Sequence, residues 1–389
     1  MTDWDALARD SLRDLKRYDP GPSRDQLKQL HGLDDLEPLN WNEDLFGPPQ
    51  AALDAAAEEL RHASRYPERA FADFRDAVAA WRGVPAASVT PAHGAQALIG
   101  SVAAAFIESG TAVVVPRLTY GLYAQVSAAA GGAVTRVDTK DLAIDPEAVV
   151  AAARATRARL VWLCDPNNPT GLLLSRAHWS WLLDELPSDC VVVADEAYMD
   201  FADPELRADR ERDVAEGRPV IVIRSFSKIF GLAGLRLGYA IADPAVSRLL
   251  DVVQEPFNVN RIALAAGSAA VVEPGFVARR RAEVAAGRDA LGLALDGSGI
   301  QVHPSQTNFV LVELDVDDVP VCDELVRRGL LIRGGHEFGL PGFARVLDGQ
   351  TLVFPDYNGN GMFRSLGDIL ANPHVGLLFL DFETHAGCL

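Results

Sequence analysis

Short, wholly apolar runs that alternate with helical patterns constrain the fold of this chain more than any other feature. Four such runs are Ala112–Val115, Leu160–Leu163, Val191–Ala194 and Val220–Ile223. Strands that are covered on both faces lack polar alternation in this way. Strands that alternate with helices predict an α/β fold with a mostly parallel sheet and helices on both faces. Ligands of such sheets bind at the carboxyl ends of the strands.

The length of 389 residues favours a large domain accompanied by a smaller one. We predict helices over 51–63 and 69–82, and strands over 307–313 and 330–333. The predicted organisation is an N-terminal helical arm (1–35), a segment reaching the small domain and a dimer interface (36–68), a large domain (69–262), a small α+β domain (263–346) and an atypical tail (347–389).

Charge and composition exclude several classes of partner. The net charge of -18 disfavours binding to nucleic acid, whose phosphates would be repelled. The four cysteines and eight histidines have no metal-ligand spacing, so we expect neither a metal site nor a disulfide framework. The N-terminus lacks a secretory apolar region, and no apolar run is long enough to span a bilayer. We therefore expect a cytoplasmic protein without membrane contact.

The segment Ser225-Phe226-Ser227-Lys228 follows directly after the apolar run that ends at Ile223. Its two hydroxyl groups, together with Arg236 eight residues later, could bind a phosphate. A lysine beside a phosphate site suits a cofactor that carries both an aldehyde and a phosphate. Taken alone, the segment is equally compatible with a solvated loop lysine.

Two more polar segments follow apolar runs. Asp195 directly follows the third run, at a place where a buried carboxylate can pair with a protonated ring nitrogen, and Tyr198 could bind a phenolic oxygen. A helix-capping Asp beside a core Tyr would give the same local pattern. Asn168 presents an amide from the tight loop 165–171, which contains two prolines and a glycine. A simple turn is the alternative there.

Two weaker signals lie upstream. Gly94-Ala95-Gln96 precedes a helical pattern that runs to Phe106, and a glycine there allows backbone N–H groups to bind a phosphate. Tyr120 follows the first apolar run and could stack on an aromatic cofactor. A plain helix start and a core aromatic residue are the ordinary alternatives.

Together these segments resemble the fold-type I pyridoxal 5′-phosphate (PLP) enzymes, the aspartate aminotransferase superfamily. The strongest pieces are DPNNPTG at 165–171, ADEAYMDF at 194–201 and SFSKIFGLAGLRLGY at 225–239. Within the superfamily the chain most resembles histidinol-phosphate aminotransferases, through LNWNE at 39–43, RYP at 65–67, TYG at 119–121, PFNVN at 256–260 and RGLLIR at 328–333. The opening departs from the family's usual Asn-Glu-Asn-Pro and reads Asn42-Glu43-Asp44-Leu45.

The resemblance implies a role for each candidate residue. Lys228 would hold PLP as a Schiff base and move the substrate's Cα proton, Asp195 would pair with the ring nitrogen, and Tyr198 would act with Asn168 on the phenolic oxygen. Tyr120 would stack on the ring. The cofactor phosphate would be bound by Gly94, Ala95, Gln96, Ser225, Ser227, Arg236 and, from the neighbouring subunit of a homodimer, Tyr66. The substrate would be bound by Asn42, Arg333 and Arg345.

The implied reaction moves an amino group between an amino acid, or a histidinol-phosphate-like amino-alcohol phosphate, and a 2-oxo acid such as 2-oxoglutarate. The alternatives are a decarboxylase or cyclase of the threonine-phosphate decarboxylase type, and a PLP-binding protein with impaired catalysis. Residues from about 347 resemble a fragment of the pyridoxamine-phosphate-oxidase-like flavin-binding family, too short to close a barrel. We expect no bound flavin, and slow turnover if the tail leaves Arg345 poorly held.

Overall fold

The computed structural model describes residues 2–13, 15, 22–340, 342–347, 379–381 and 386–388. Its α-helices are α1 (Trp4–Leu7), α2 (Arg24–His31), α3 (Gln50–Leu60), α4 (Ala72–Arg82), α5 (Ala95–Phe106), α6 (Leu122–Ala129), α7 (Pro146–Thr156), α8 (Arg176–Glu185), α9 (Arg210–Ala215), α10 (Pro244–Val253), α11 (Arg261–Val272), α12 (Phe276–Leu295) and α13 (Asp318–Arg327). Short 3₁₀ turns lie at Asp10–Leu12, Ala86–Ser88, Met199–Phe201, Ala233–Leu235 and Gly335–Phe338.

The strands are β1 (Glu37–Pro38), β2 (Val89–Ala92), β3 (Ala112–Pro116), β4 (Ala133–Val137), β5 (Leu160–Cys164), β6 (Val191–Asp195), β7 (Val220–Ser225), β8 (Gly238–Ile241), β9 (Gln301–Val302), β10 (Phe309–Glu313), β11 (Leu330–Leu331), β12 (Arg333–Gly334), β13 (Phe343–Leu347), β14 (Phe379–Asp381) and β15 (Ala386–Cys388). The four apolar runs thus lie in β3, β5, β6 and β7.

A seven-stranded sheet forms the centre of the molecule, in the order β2-β8-β7-β6-β5-β3-β4. Strands β3 to β7 pair in parallel, whereas β8 runs antiparallel to both of its neighbours. This arrangement confirms the predicted α/β fold with a mostly parallel sheet.

Alternate residues of the central strands enter two different hydrophobic clusters. In β7, Val220 and Val222 belong to one cluster, and Ile221 and Ile223 belong to the other. Both faces of the strand are therefore covered, which explains why its sequence has no polar alternation. The covering helices have local start signals of their own, such as Asp145, which accepts backbone N–H bonds at the beginning of α7.

A second, four-stranded sheet is antiparallel and has the order β12-β13-β10-β9. The strand predicted over 307–313 is observed as β10. The strand predicted over 330–333 is divided at the buried Ile332. Its first half, β11, pairs in parallel with β1, and its second half, β12, pairs with β13. The β1–β11 pair joins the segment after the N-terminal arm to this part of the chain.

Most of the tail predicted over 347–389, which resembles a flavin-binding fragment in sequence, lies outside the described residues. Strands β14 and β15 of that stretch pair antiparallel. Within the described ranges no single helix is long and apolar enough to cross a membrane. The pair α11 and α12 meets such a test of length and composition only when taken together, and the two helices are bent by 82°.

Candidate active site

A cavity of about 720 Å³ opens at the carboxyl ends of the central strands. It forms there because β5, β6 and β7 are parallel and end at the same edge of the sheet. Most of the residues that the sequence implicated line this cavity: Asn42, Ala95, Gln96, Tyr120, Asn168, Asp195, Tyr198, Ser225, Ser227, Lys228, Arg236 and Arg333.

One corner of the cavity is built to bind an anion. Helix α5 begins beside it at Ala95, with Gly94 as its N-cap and no side chain bonded to its first N–H groups. A Cβ atom on Gly94 would lie 2.6 Å from Nη2 of Arg236, and Gly94 has a φ of 97°, so the backbone conformation and the packed guanidinium both favour glycine. Arg236 Nη1 donates to Ser227 Oγ at 3.4 Å, and the Ser227 N–H donates to Ser225 Oγ at 3.1 Å. A guanidinium, two hydroxyls and a helix N-terminus therefore converge.

Two non-glycine residues of the cavity have left-handed backbone conformations. Arg236 has a φ of 57° and Asn42 has a φ of 54°. Asparagine adopts this region more readily than most residues, whereas arginine rarely does. Such conformations persist where the surrounding structure fixes them, and they concentrate at functional sites.

Asp195 ends β6 with 4% of its surface exposed. Its Oδ2 accepts a hydrogen bond from the Tyr123 hydroxyl at 2.8 Å, and its Oδ1 accepts one from the Ala197 N–H at 3.1 Å. Burial raises the pKa of the Asp195 carboxyl, while these hydrogen bonds and the charge of Lys228 act in the opposite direction. A buried carboxylate held in this way suits a cationic partner.

The amino group of Lys228 lines the cavity and contacts the segment around residue 41. Its Nζ donates to the carbonyl oxygens of Trp41 at 2.7 Å and Asn42 at 3.1 Å, and it lies 5.7 Å from the centre of the Tyr198 ring. The Tyr198 hydroxyl accepts a hydrogen bond from Asn42 Nδ2 at 2.9 Å. Lys228, Tyr198 and Asn42 therefore lie close to one another in the cavity.

Asp44, which stands where the family usually has asparagine, does not line the cavity. The Asp44 carboxylate forms a buried ion pair with Arg280 and accepts the N–H groups of Phe46 and Gly47. Arg280 also donates to the Gly47 carbonyl. The acidic residue therefore fastens the segment that carries Asn42 to helix α12.

Arg333 lies in β12 and lines the cavity, with Nη2 2.8 Å from a Glu337 carboxylate oxygen. Arg345 lies in β13, where its backbone is paired with Arg333 on one side and Leu311 on the other. The expectation that Arg345 is poorly held therefore has no support at the level of the backbone, because its strand is internal to the sheet.

Tyr66 does not line this cavity. Its side chain is 79% exposed and stacks on Phe257, with ring centroids 4.8 Å apart. Its implied role requires a second subunit, and that role stays a prediction.

Sequence reasoning missed several residues of the cavity wall, among them Tyr123, Arg117 and Arg136. The signal that could have found Tyr123 is its nearness in sequence to Tyr120, whose ring it contacts edge-on with centroids 5.6 Å apart. Arg117 directly follows β3 and so carries the same signal as Lys228 and Asn168, whereas Arg136 lies inside β4 and carries none.

Buried ion pairs connect the three segments that carry Asn168, Asp195 and Ser225. The connected side chains alternate in charge and are at most 12% exposed: Asp165, Arg210, Glu196, Arg224, Asp200 and Arg82. Asp165 begins the loop that carries Asn168, Glu196 follows Asp195, and Arg224 precedes Ser225. Arg210 and Arg224 each contact two of these carboxylates, and Arg82 contacts one. The charges are therefore compensated within the cluster.

We expect Arg210→Met to destabilise the protein by about 3–5 kcal/mol, because it leaves the buried Asp165 carboxylate unpaired and removes one of the two arginines that pair with Glu196. The shift in the midpoint of urea unfolding measures this effect. Arg212→Met is the matched control on the same helix, since Arg212 is exposed and pairs only with Glu216. Equal shifts for the two variants would contradict a structural role for the buried pairs.

Comparison with known proteins identifies the relatives of this chain. The family model "Aminotransferase class I and II" matches residues 34–347. The chain is 34% identical over 364 residues to a histidinol-phosphate aminotransferase of Moorella thermoacetica, covering 93% of each. It is 36% identical over 350 residues to that of Symbiobacterium thermophilum, covering 90% of this chain and 95% of the relative.

A solved structure supports the same grouping. The crystal structure of histidinol-phosphate aminotransferase from Sinorhizobium meliloti, in complex with pyridoxal-5′-phosphate, matches with a TM-score of 0.80 at 27% identity. The match covers 87% of this chain and 92% of that one.

Proposed function

The chain belongs to aminotransferase class I and II and is a PLP-dependent enzyme, and from this membership we propose that it transfers the amino group of histidinol phosphate to a 2-oxo acid such as 2-oxoglutarate. The observation that carries the proposal is one cavity that contains a lysine, a buried carboxylate and an anion corner. The names of the relatives support the choice of substrate.

The residues of the cavity fit PLP. The anion corner suits a phosphate, because the Arg236 guanidinium packs against Gly94 beside the start of α5 and contacts the Ser227 hydroxyl. The Asp195 carboxylate is buried, as a partner for a pyridinium nitrogen needs to be. Lys228 would hold the aldehyde carbon, Tyr120 would lie against the ring, and Asn168 would act with Tyr198 on the phenolic oxygen. Gln96 and the hydroxyls of Ser225 and Ser227 would complete the phosphate site.

Bound PLP supplies an electron sink for the substrate's Cα and a carbon that accepts the amino group. Lys228 would provide the base that takes the proton from the substrate's Cα and returns it at the aldehyde carbon of the cofactor. Asp195 keeps the ring nitrogen protonated, which requires the carboxylate to remain charged in spite of its burial. Asn42 holds the Tyr198 hydroxyl and so orients it.

Arg333 is the residue that we propose for recognition of the substrate's phosphate. It lines the cavity, and a guanidinium is well suited to a phosphate because it offers several N–H donors in one plane. Glu337 at 2.8 Å fixes its position. We propose that Arg345, on the neighbouring strand, binds a substrate carboxylate.

Donor comparison tests this proposal. With 2-oxoglutarate as acceptor, histidinol phosphate should be a much better donor than histidinol. Arg333→Gln should raise KM for histidinol phosphate at least about tenfold, the loss expected for one charge-assisted bond, and should change KM for histidinol little. Arg327→Gln is the control, because Arg327 is exposed and pairs with Glu324. Equal use of both donors, or release of CO₂ from an amino-acid donor, would contradict the proposal.

We also propose a homodimer in which Tyr66 reaches the cofactor phosphate of the other subunit. The exposure of Tyr66 and of its stacking partner Phe257 supports this, since large aromatic groups at a surface mark interfaces. Lys228→Ala and Tyr66→Ala subunits, each impaired alone, should regain about a quarter of wild-type activity on random mixing, because mixed dimers contain one intact site. No recovery in mixed dimers, or a fully active monomer in sedimentation, would contradict it.

The remaining proposals concern the division of the chain. A large domain over 69–262 and a small one over 263–346 are supported by the sheets, since the seven-stranded sheet spans 89–241 and the four-stranded sheet spans 301–347. We propose that the tail from about 347 binds no flavin. The family match ends at that residue, and the absorbance of purified protein in the flavin region tests the point.

A further inference from the structure

Among the described residues, Tyr123 is the only side chain that forms a hydrogen bond with Asp195. It lies in helix α6 with a fully buried side chain, and its hydroxyl donates to Asp195 Oδ2 at 2.8 Å. The other oxygen of Asp195 accepts only the Ala197 N–H. Tyr123 therefore fixes the rotation of the carboxylate, which the backbone bond alone leaves free to swing.

Contacts with Trp162 and Ser127 restrict the position of Tyr123. Its ring stacks on Trp162, with centroids 5.3 Å apart and planes 13° apart. Ser127 Oγ accepts the Trp162 indole N–H at 3.1 Å and donates to the Tyr123 carbonyl at 2.7 Å. A fully buried ring that is stacked on Trp162 has little room to move, so Tyr123 acts as a rigid donor.

We propose that Tyr123 is a positioning residue that holds the Asp195 carboxylate toward the cofactor's ring nitrogen and maintains its negative charge. The inference rests on the proposed role of Asp195. A donor to Oδ2 stabilises the charged carboxylate, and it makes the carboxylate a weaker competitor for the proton of the ring nitrogen.

The other groups that face Asp195 cannot replace Tyr123. Lys228 acts on it only through its charge, and the Cys164 thiol at the end of β5 is a weak donor. Burial raises the pKa of the Cys164 thiol, and burial together with Asp195 raises the pKa of Tyr123 well above its usual value. Tyr123 therefore stays protonated and remains a donor throughout the working pH range.

Tyr123→Phe removes the hydroxyl alone and tests the inference. With PLP-loaded protein, we expect kcat to fall about ten- to a hundredfold, the effect of one hydrogen bond to a charged group, with KM nearly unchanged. The pH at which the visible absorbance of the bound cofactor changes should shift by about one unit, because the charge of the ring nitrogen is less well maintained. Cofactor affinity, measured by titration of the apo-protein, should fall as well.

Tyr239→Phe is the matched control. Tyr239 is a buried tyrosine whose hydroxyl accepts a hydrogen bond from Arg82 at 2.8 Å, and it is not part of the cavity lining. Its loss should lower thermal stability and leave the cofactor absorbance and its pH midpoint unchanged. A Tyr123→Phe protein with wild-type kcat and pH midpoint overturns the inference, provided that Asp195→Ala is impaired. If Asp195→Ala is also unimpaired, the proposed role of Asp195 fails instead.

Discussion

Lys228→Ala should lower kcat by at least about 10⁴-fold, because the variant loses both the attachment point of the cofactor and the base that moves the Cα proton. Binding of PLP should weaken but persist, since the anion corner and Asp195 remain in place. Steady-state transamination with histidinol phosphate and 2-oxoglutarate measures the first effect, and absorbance titration measures the second.

Lys140→Ala is the control for this variant. Lys140 is exposed and lies outside the cavity lining, so its replacement should leave kcat unchanged. Residual transamination by Lys228→Ala at a tenth of the wild-type rate would show that another group carries the proton.

Asp195→Ala should lower kcat by about 10³-fold, the cost of removing one preorganised charge opposite a centre whose charge matters in the transition state. The ring nitrogen would then lose its proton, and the electron sink would weaken. Asp195→Glu should be milder because the charge is kept and only its position changes. A measurement of kcat for both variants, with cofactor saturation checked by absorbance, distinguishes these outcomes.

If Asp195→Glu lowers kcat as much as Asp195→Ala does, the position of the carboxylate matters more than its charge. Wild-type turnover by Asp195→Ala would contradict the pairing of this carboxylate with the ring nitrogen.

The central sheet and its site could be predicted because their signals are local. A buried parallel strand must be apolar throughout, and a polar residue directly after it must lie at the ligand-binding edge. Lys228, Asp195 and Asn168 all follow such strands, and all three line the cavity. Gly94 was a weak signal in the sequence, and only the structure shows its φ of 97° and its close contact with the Arg236 guanidinium.

Other features depend on contacts that are distant in sequence. Asp44 and Arg280 are separated by 236 residues, and neither has a local pattern that predicts the other. The partnership of Tyr123 with Asp195 spans 72 residues. The division of the segment 330–333 between two sheets arises because β1, far upstream, pairs with its first half. These contacts follow from tertiary packing, which a strand or helix pattern does not encode.

Reduction of the PLP-loaded protein with borohydride, followed by peptide mapping, tests the central claim most directly. The chain contains four lysines, Lys16, Lys28, Lys140 and Lys228, so the site of attachment can be assigned without ambiguity. We predict one cofactor per chain on the peptide that contains Lys228, and no label in the Lys228→Ala variant. Label on any of the other three lysines, or wild-type protein that takes up no label, would contradict the assignment of this cavity as the active site.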